Sequence, residues 1–320
     1  MERVEPQREH VRPSMTHADD VLANASGENF PVALKMVPAR YRAHLFALYC
    51  FARLTDDLGD QAKATAEDTA AGEDTGARDG TSAGDGTSAG EDTAAFRLRL
   101  LDEFEADIDR IYTGGQPLTP ALLPLADTVR ACDIPQAPFN ALIQANRQDQ
   151  LVSRYPTYQD LEQYCTLSAN PVGQVVLYIF DAATPERIEL SDKICTALQL
   201  VEHWQDVAED LGDGRIYLPQ DDLARFGVSE QDLAAANASA QVKDLLRFEV
   251  ERARQLLDDG APLVGTLRGA ARLAVAGYVA GGRAALAAVE RHDYDVLAST
   301  PRPRKPTLLR KLGTTYLRGR

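Results

Sequence analysis

Two short acidic runs, each closing an apolar, helix-forming stretch, constrain this chain more than any other feature. One reads Arg53-Leu54-Thr55-Asp56-Asp57-Leu58-Gly59-Asp60. The other reads Gln199-Leu200-Val201-Glu202-His203-Trp204-Gln205-Asp206-Val207-Ala208-Glu209-Asp210. Residues four apart share a helix face, so Asp56 stands over Asp60, and Glu202, Asp206 and Asp210 form a second ladder. Like charges at that spacing destabilise a helix unless something positive lies between them. Such ladders are either solvated helix surfaces or cation sites. Repetition of the pattern favours a cation, as does a polar partner one turn earlier in each run, Arg53 and Gln199. Mg2+ fits best, since it is usually held by a few carboxylates plus substrate phosphates.

The surrounding pattern is helical almost throughout. Tyr41, Leu45, Leu48, Tyr49 and Ala52 share a stripe between Pro38 and Leu58. Further helices are predicted at about 94–112, 119–131, 136–152, 158–169, 171–182, 186–211, 220–223, 229–235, 239–258, 261–290 and 307–318. Gly-Gly, Ile-Pro, Tyr-Pro and Gly-Asp-Gly punctuation separates several of them. With neither alternating strand patterns nor βαβ spacing, the expected fold is all-α, a single helical bundle whose interior holds the site. Residues 1–18 read as a loose tail, 19–300 as the domain and 301–320 as a basic C-terminal segment.

Residues 61–95 stand apart. They are built from small and acidic residues and contain the repeat Asp79-Gly-Thr-Ser-Ala-Gly, Asp85-Gly-Thr-Ser-Ala-Gly. Such a segment buries too little apolar surface to offset its ordering entropy, so it is read as a disordered insertion within the domain. Two other irregularities interrupt helices. Ser168-Ala169-Asn170-Pro171-Val172-Gly173 is either an ordinary kink or a break that lines a cavity, because Pro171 removes a backbone donor. Gly214-Arg215-Ile216-Tyr217 puts a cation and an aromatic ring at the mouth of the second acidic run.

The net charge of −14 argues against a nucleic-acid partner. The four cysteines form no Cys-x-x-Cys pair and sit in apolar contexts, which points to a reducing, cytoplasmic compartment without a zinc site. The first residues lack the apolar core of a signal peptide, and no stretch of 18 apolar residues suggests a membrane span. The last twenty residues carry seven Arg or Lys and no acid, interleaved with Leu308, Leu309, Leu312, Tyr316 and Leu317. That segment is either a peripheral anchor at the inner membrane face or a plain solvated helix.

Nucleotide-phosphate loops, dinucleotide fingerprints and His-Glu-x-x-His zinc motifs are all missing from the sequence, and Gly-x-Ser-x-Gly occurs only inside the small-residue repeat (Gly80 to Gly84 and Gly86 to Gly90), with no strand pattern before it to make a nucleophile elbow. Clustered carboxylates with Mg2+ suit departure of a diphosphate, with arginines assisting. The cation left behind would need an apolar, aromatic pocket. Phe30, Tyr49, Phe51, Tyr164, Tyr178 and Trp204 are the available rings, each alternatively plain core.

The Arg53-x-x-Asp56-Asp57-x-x-Asp60 segment, the Gln199-Leu200…Asp206-Val207-x-x-Asp210 segment and the following Arg215-Ile216-Tyr217 together resemble the squalene and phytoene synthases. The resemblance runs from about Glu28 to Leu297, outside 61–95, and implies the all-α isoprenoid-synthase fold. Glu28-Asn29-Phe30-Pro31-Val32-Ala33, Ser168 to Gly173, and Trp204-Gln205-Asp206-Val207 resemble its hydroxysqualene synthase branch. This implies conversion of presqualene diphosphate and water to hydroxysqualene and diphosphate with two or three Mg2+ ions and no NADPH. Head-to-head condensation of two prenyl diphosphates is the alternative, and a non-catalytic helical assembly partner a third. By position, Asp56, Asp60, Asp206 and Asp210 would hold Mg2+, joined by Glu202, which stands where the family usually has Asn. Asn29, Phe30, Arg53, Gln199, Arg215 and Tyr217 would bind substrate. Tyr49 and Tyr164 would line the cation pocket, and Asn170, where most relatives carry Gly, would orient the quenching water. The implied partners are the prenyl diphosphate, other enzymes of the squalene pathway and the membrane surface that apolar C30 molecules enter.

Overall fold

The computed structural model describes the backbone of residues 37–71 and 86–319, and side chains at 37–59 and 93–319. Asn29, Phe30, the expected N-terminal tail and the side chain of Asp60 therefore lie outside the described residues. Within them the protein is a helical bundle without a strand. Its one β-type feature is an isolated parallel bridge between Arg154 and Ile216.

Helix α1 spans Ala39–Ala71 and α2 spans Gly86–Tyr112. After a short 3-10 turn come α3 (Leu123–Cys132), α4 (Ala137–Asp149), α5 (Tyr158–Ser168) and α6 (Asn170–Ile179). The second half comprises α7 (Pro185–Gln205), α8 (Val207–Gly212), α9 (Gln220–Phe226), α10 (Glu230–Leu233), α11 (Ala240–Gly260), α12 (Leu263–Thr266), α13 (Gly269–Arg291) and α14 (Lys305–Arg318). Local chemistry sets many of these starts. Thr157 and Asp160 form a capping box on α5, while Thr184 caps α7 ahead of Pro185. Ser239 caps α11 in the same way.

One continuous apolar core runs through the bundle. At one end the Phe51 ring lies 5.5 Å from Phe104 and 5.1 Å, edge-on, from Phe139. At the other, α7 packs against α6, α11 and α13 and buries Leu200 and Trp204 completely. The α13 helix is long and apolar enough to cross a membrane by length and composition, yet 56% of that stretch is buried. It packs against α7, α11 and α14.

The structure departs from the sequence reading in three places. The 61–95 segment is helical at both ends, since α1 continues to Ala71 and α2 starts at Gly86. The Ala-rich stretch after Asp60 has strong helix propensity, which outweighs its low apolar content. Residues 72–85 lie outside the described range. The helix expected at 186–211 is interrupted by Asp206, which leaves helical geometry at φ −107°, ψ 18°. The one expected at 261–290 splits at extended Leu267, and Arg187 of α7 donates 2.8 Å to the Thr266 carbonyl left there.

Candidate active site

The first acidic run sits on α1. Asp56 is exposed and accepts a 3.3 Å hydrogen bond from the Asn146 amide of α4, so α4 fixes its outlook. Arg53 lies 3.3 Å from Asp57, both about half exposed. The second run ends α7 and continues into α8. Burial raises the Asp206 carboxyl, Glu209 adds to the rise, and Arg302 from the segment before α14 opposes it. Asp210 is pushed up to about 7 by burial and then by Asp206, against Arg215, with Glu209 and Asp213 adding to the rise. The Gln205 amide donates to the Pro301 carbonyl, which ties the chain preceding α14 to this corner.

Behind Asp210 lies an aromatic stack assembled from distant segments. The Ile216 amide donates 2.9 Å to the Ser153 carbonyl, and the Gln220 amide donates 2.9 Å to the Tyr155 carbonyl. That pairing sets the Tyr155 ring 5.8 Å from Tyr217 and 5.4 Å from Tyr164. Gly214, at φ +77°, supplies the left-handed turn that sends the chain from α8 into this pairing. The Tyr164 hydroxyl donates 2.9 Å to Asp149 at the end of α4. Arg215 is hydrogen-bonded to Tyr217 and lies close enough to Asp149 to feel its charge.

His203 stacks on Tyr217 with ring centroids 3.6 Å apart. Burial, reinforced by the Arg215 cation, lowers it to about 3, so the imidazole is neutral. The Gln199 amide nitrogen lies 3.2 Å from Nε2. An amide nitrogen only donates, so Nε2 accepts and the ring proton sits on Nδ1, facing Asp210 at 3.9 Å. His203 is thus a packed, neutral spacer.

A cavity of about 220 Å³ opens beside the α5–α6 break. Val172, Val176, Ile194, Leu198 and Val275 make much of its wall apolar, while Gln199 and Glu202 of the second acidic run also line it. The break therefore lines a cavity. Gly173 sits where a Cβ would come within 2.4 Å of Cys195 Sγ and 2.5 Å of Ser191 Oγ, so only glycine lets α6 approach α7 here.

Several residues singled out from sequence are placed elsewhere. Phe51 and Trp204 are fully buried core. Tyr49 is nearly buried on α1, its ring 6.5 Å from Phe46. Tyr164 belongs to the aromatic stack and does not line the cavity. Asn170 does not line it either, and its carbonyl accepts a 2.8 Å bond from Thr196 in the α6–α7 interface. Among the described residues no three His, Cys, Asp or Glu side chains converge as a ready-made metal site. The interruption at Asp206 is one reason the expected Glu202–Asp206–Asp210 ladder is not a regular helical face.

The sequence reading missed Asp149, Tyr155, Arg302 and Tyr278. Asp149 ends an apolar helix in a polar run, Arg147-Gln148-Asp149-Gln150, the same signature as the two acidic runs. Tyr278 is the one aromatic among the cavity-lining residues described. Its signal was a lone ring in an Ala-rich helix flanked by Gly277, Gly281 and Gly282.

An all-α bundle with carboxylate runs on two helices and an apolar cavity beside a helix break has the architecture of the isoprenoid synthases. The chain belongs to the squalene/phytoene synthase family, whose sequence model matches residues 23–310. Members of that family are enzymes that act on prenyl diphosphates and use a divalent metal with them. The chain is 30% identical over 289 residues to 15-cis-phytoene synthase of Synechocystis sp., covering 85% of this chain and 76% of that protein. It is 30% identical over 244 residues to hydroxysqualene synthase of Sinorhizobium fredii, covering 75% and 72%. The crystal structure of squalene synthase HpnC from Alicyclobacillus acidocaldarius superposes with a TM-score of 0.70 at 36% identity, covering 86% and 92%. A dehydrosqualene synthase in complex with ligand has the same fold, with a TM-score of 0.73 at 23% identity, covering 95% and 96%.

Proposed function

We propose that this enzyme converts presqualene diphosphate and water to hydroxysqualene and diphosphate, a step of squalene and hopanoid biosynthesis, without NADPH. The observation that carries the reading is a largely apolar cavity whose lining includes Gln199 and Glu202 of the second acidic run. The likeness to the Alicyclobacillus and Sinorhizobium proteins supports the branch. At about 220 Å³ the cavity is smaller than the roughly 300–1,000 Å³ of ordinary ligand pockets, which suits one arm of the substrate.

The residues present fit Mg2+. Asp210 is held at about 7 by burial and by neighbouring carboxylates, so the site carries negative charge that a hard cation relieves. Mg2+ is usually held by a few protein carboxylates with substrate phosphate oxygens completing its shell, and the two acidic runs supply carboxylates of that kind. Asp56 and Asp60, with Asp206, Asp210 and Glu202, would hold it. When bound, Mg2+ neutralises charge on the departing diphosphate.

The chain's own residues do the rest. Arg215, fixed by Tyr217 and Asp149, and Arg53 offer donors to the diphosphate. As the carbon–oxygen bond breaks, its electron pair leaves with the diphosphate, and the apolar wall with the Tyr278 ring lodges the cyclopropylcarbinyl cation. Water bonds to the rearranged cation and releases its proton.

Condensation of two prenyl diphosphates is a second reading, favoured by the longer span matched to phytoene synthase. Incubating the protein with Mg2+ and either presqualene or farnesyl diphosphate, without NADPH, separates them. Hydroxysqualene from presqualene diphosphate is expected. A C30 or presqualene product from farnesyl diphosphate would overturn the first reading.

A further inference from the structure

A second cavity, of about 430 Å³, shares no lining residue with the first. It lies between α11, α13 and α14 and is lined by Arg254, Arg283, Lys311 and Arg318 with one carboxylate, Asp258. Four cations around one cavity are unexpected in a chain of net charge −14. Arg283 binds Asp258 at 2.5 Å, and Arg254 binds Glu251 and Glu290 at 3.1 and 2.5 Å. Among the described residues neither Lys311 nor Arg318 has an ion-pair partner in the structure. The Lys311 ammonium is pushed down by burial and then by Arg283, Arg254 and Arg310, with Glu290 opposing them.

The faces of α14 give a second, independent observation. Its inner face packs on α13, with Thr315 buried and accepting a 3.1 Å bond from Arg283. Lys311, Thr314 and Arg318 form the edge that lines the cavity. Pro306, Leu309, Gly313 and Leu317 are all exposed and recur at the spacing of one helix face. Leu309 is 68% and Leu317 82% exposed. A helix with one apolar face turned to solvent and cations along its edge has the form of a helix lying in a membrane interface.

We propose that this cavity receives the phosphate of an anionic phospholipid headgroup while Leu309 and Leu317 enter the acyl boundary, so that α14 docks the enzyme on a membrane. Lys311 and Arg318 take the phosphate oxygens, while the Thr314 hydroxyl beside them donates to the Arg310 and Lys311 carbonyls of its own helix. The inference does not depend on which reaction the enzyme performs.

Co-sedimentation of the full-length protein with vesicles tests it. Vesicles of phosphatidylcholine mixed with phosphatidylglycerol should bind the protein, and phosphatidylcholine alone should not. The double variant Lys311→Gln, Arg318→Gln should lose about tenfold or more in affinity for the anionic vesicles. Leu317→Ser should lose several-fold while leaving those cations in place. Circular dichroism and turnover of detergent-dispersed substrate should be unchanged in both variants. Equal binding to neutral vesicles, or full binding by the double variant, would overturn the proposal. Saturable binding of inorganic phosphate that competes completely with vesicles would overturn it too, assigning the cavity to a free anion.

Discussion

Two clusters of carboxylates in this molecule have raised proton affinity, and they mean different things. Asp210 is held at about 7 and Glu249 at about 8, in both cases chiefly by burial. Around Asp210 the neighbours are mostly further acids, Asp206, Glu209 and Asp213, with Arg215 as counterweight, and the side chain is a quarter exposed. Glu249 on α11 is fully sealed, and its protonated form hydrogen-bonds Asp222 of α9. Arg252 closes that knot, donating at 2.9 Å to Asp222 and 3.2 Å to Glu249. Its guanidinium lies 4.1 Å over the Tyr158 ring and 4.5 Å over Phe248. A raised carboxylate alone therefore does not mark a site. Reachable charge left in excess marks one, whereas charge closed upon itself marks architecture.

The largest effect should separate the two clusters by activity. Asp206→Asn with Asp210→Asn should cost on the order of a thousandfold in kcat with presqualene diphosphate, because the charge on the leaving group loses its stabilisation. Asp222→Asn should leave kcat of the folded protein unchanged. Comparable losses in both variants would erase the distinction.

Stability should then separate them in the opposite sense. Arg252→Ala strands Asp222 and Glu249 without their shared cation, at about 3 kcal/mol by urea unfolding. Removing Asp206 relieves repulsion and should cost nothing. A destabilised Asp206→Asn variant would show that this corner is structural after all.

The pH dependence of the knot follows from its sign. The folded Glu249 carboxyl titrates at about 8, above its unfolded value of 4.5. The folded state therefore holds a proton that the unfolded chain releases. Its stabilisation is complete below pH 4.5 and is lost as pH rises towards 8, at up to about 1.4 kcal/mol per pH unit. Glu249→Gln keeps the hydrogen bond and carries no titrating proton, so its unfolding free energy should be flatter across this window. An unchanged slope would remove Glu249 as its source.

What was legible in the sequence was local. Fold class followed from helical spacing, the acidic runs from their four-residue repeat, and the α5–α6 break from Pro171. What was not legible was long-range. Tyr155 becomes part of the site corner only because Ser153 pairs with Ile216, some sixty residues later. The Asp222–Glu249–Arg252 knot joins two helices that look, separately, like ordinary charged surfaces. The Asp206 interruption lies in a run whose helical pattern continues on both sides, so spacing alone predicts one rod. Asn170 is similar: its place within a break suggests chemistry, while the partner the structure gives it, Thr196, lies on α7.

That partner gives the smallest prediction. Thr196 donates its hydroxyl to the Asn170 carbonyl at 2.8 Å, both residues buried. Thr196→Val keeps the shape and removes the donor, leaving a buried acceptor less satisfied, so stability should fall by roughly 1–2 kcal/mol. Asn170 sits off the cavity, so kcat and product identity should hold. A shift from hydroxysqualene towards unquenched C30 products in Thr196→Val would instead mean that the orientation of Asn170 reaches the cation, and would move this residue from the closed, architectural kind of polar contact to the open, chemical kind.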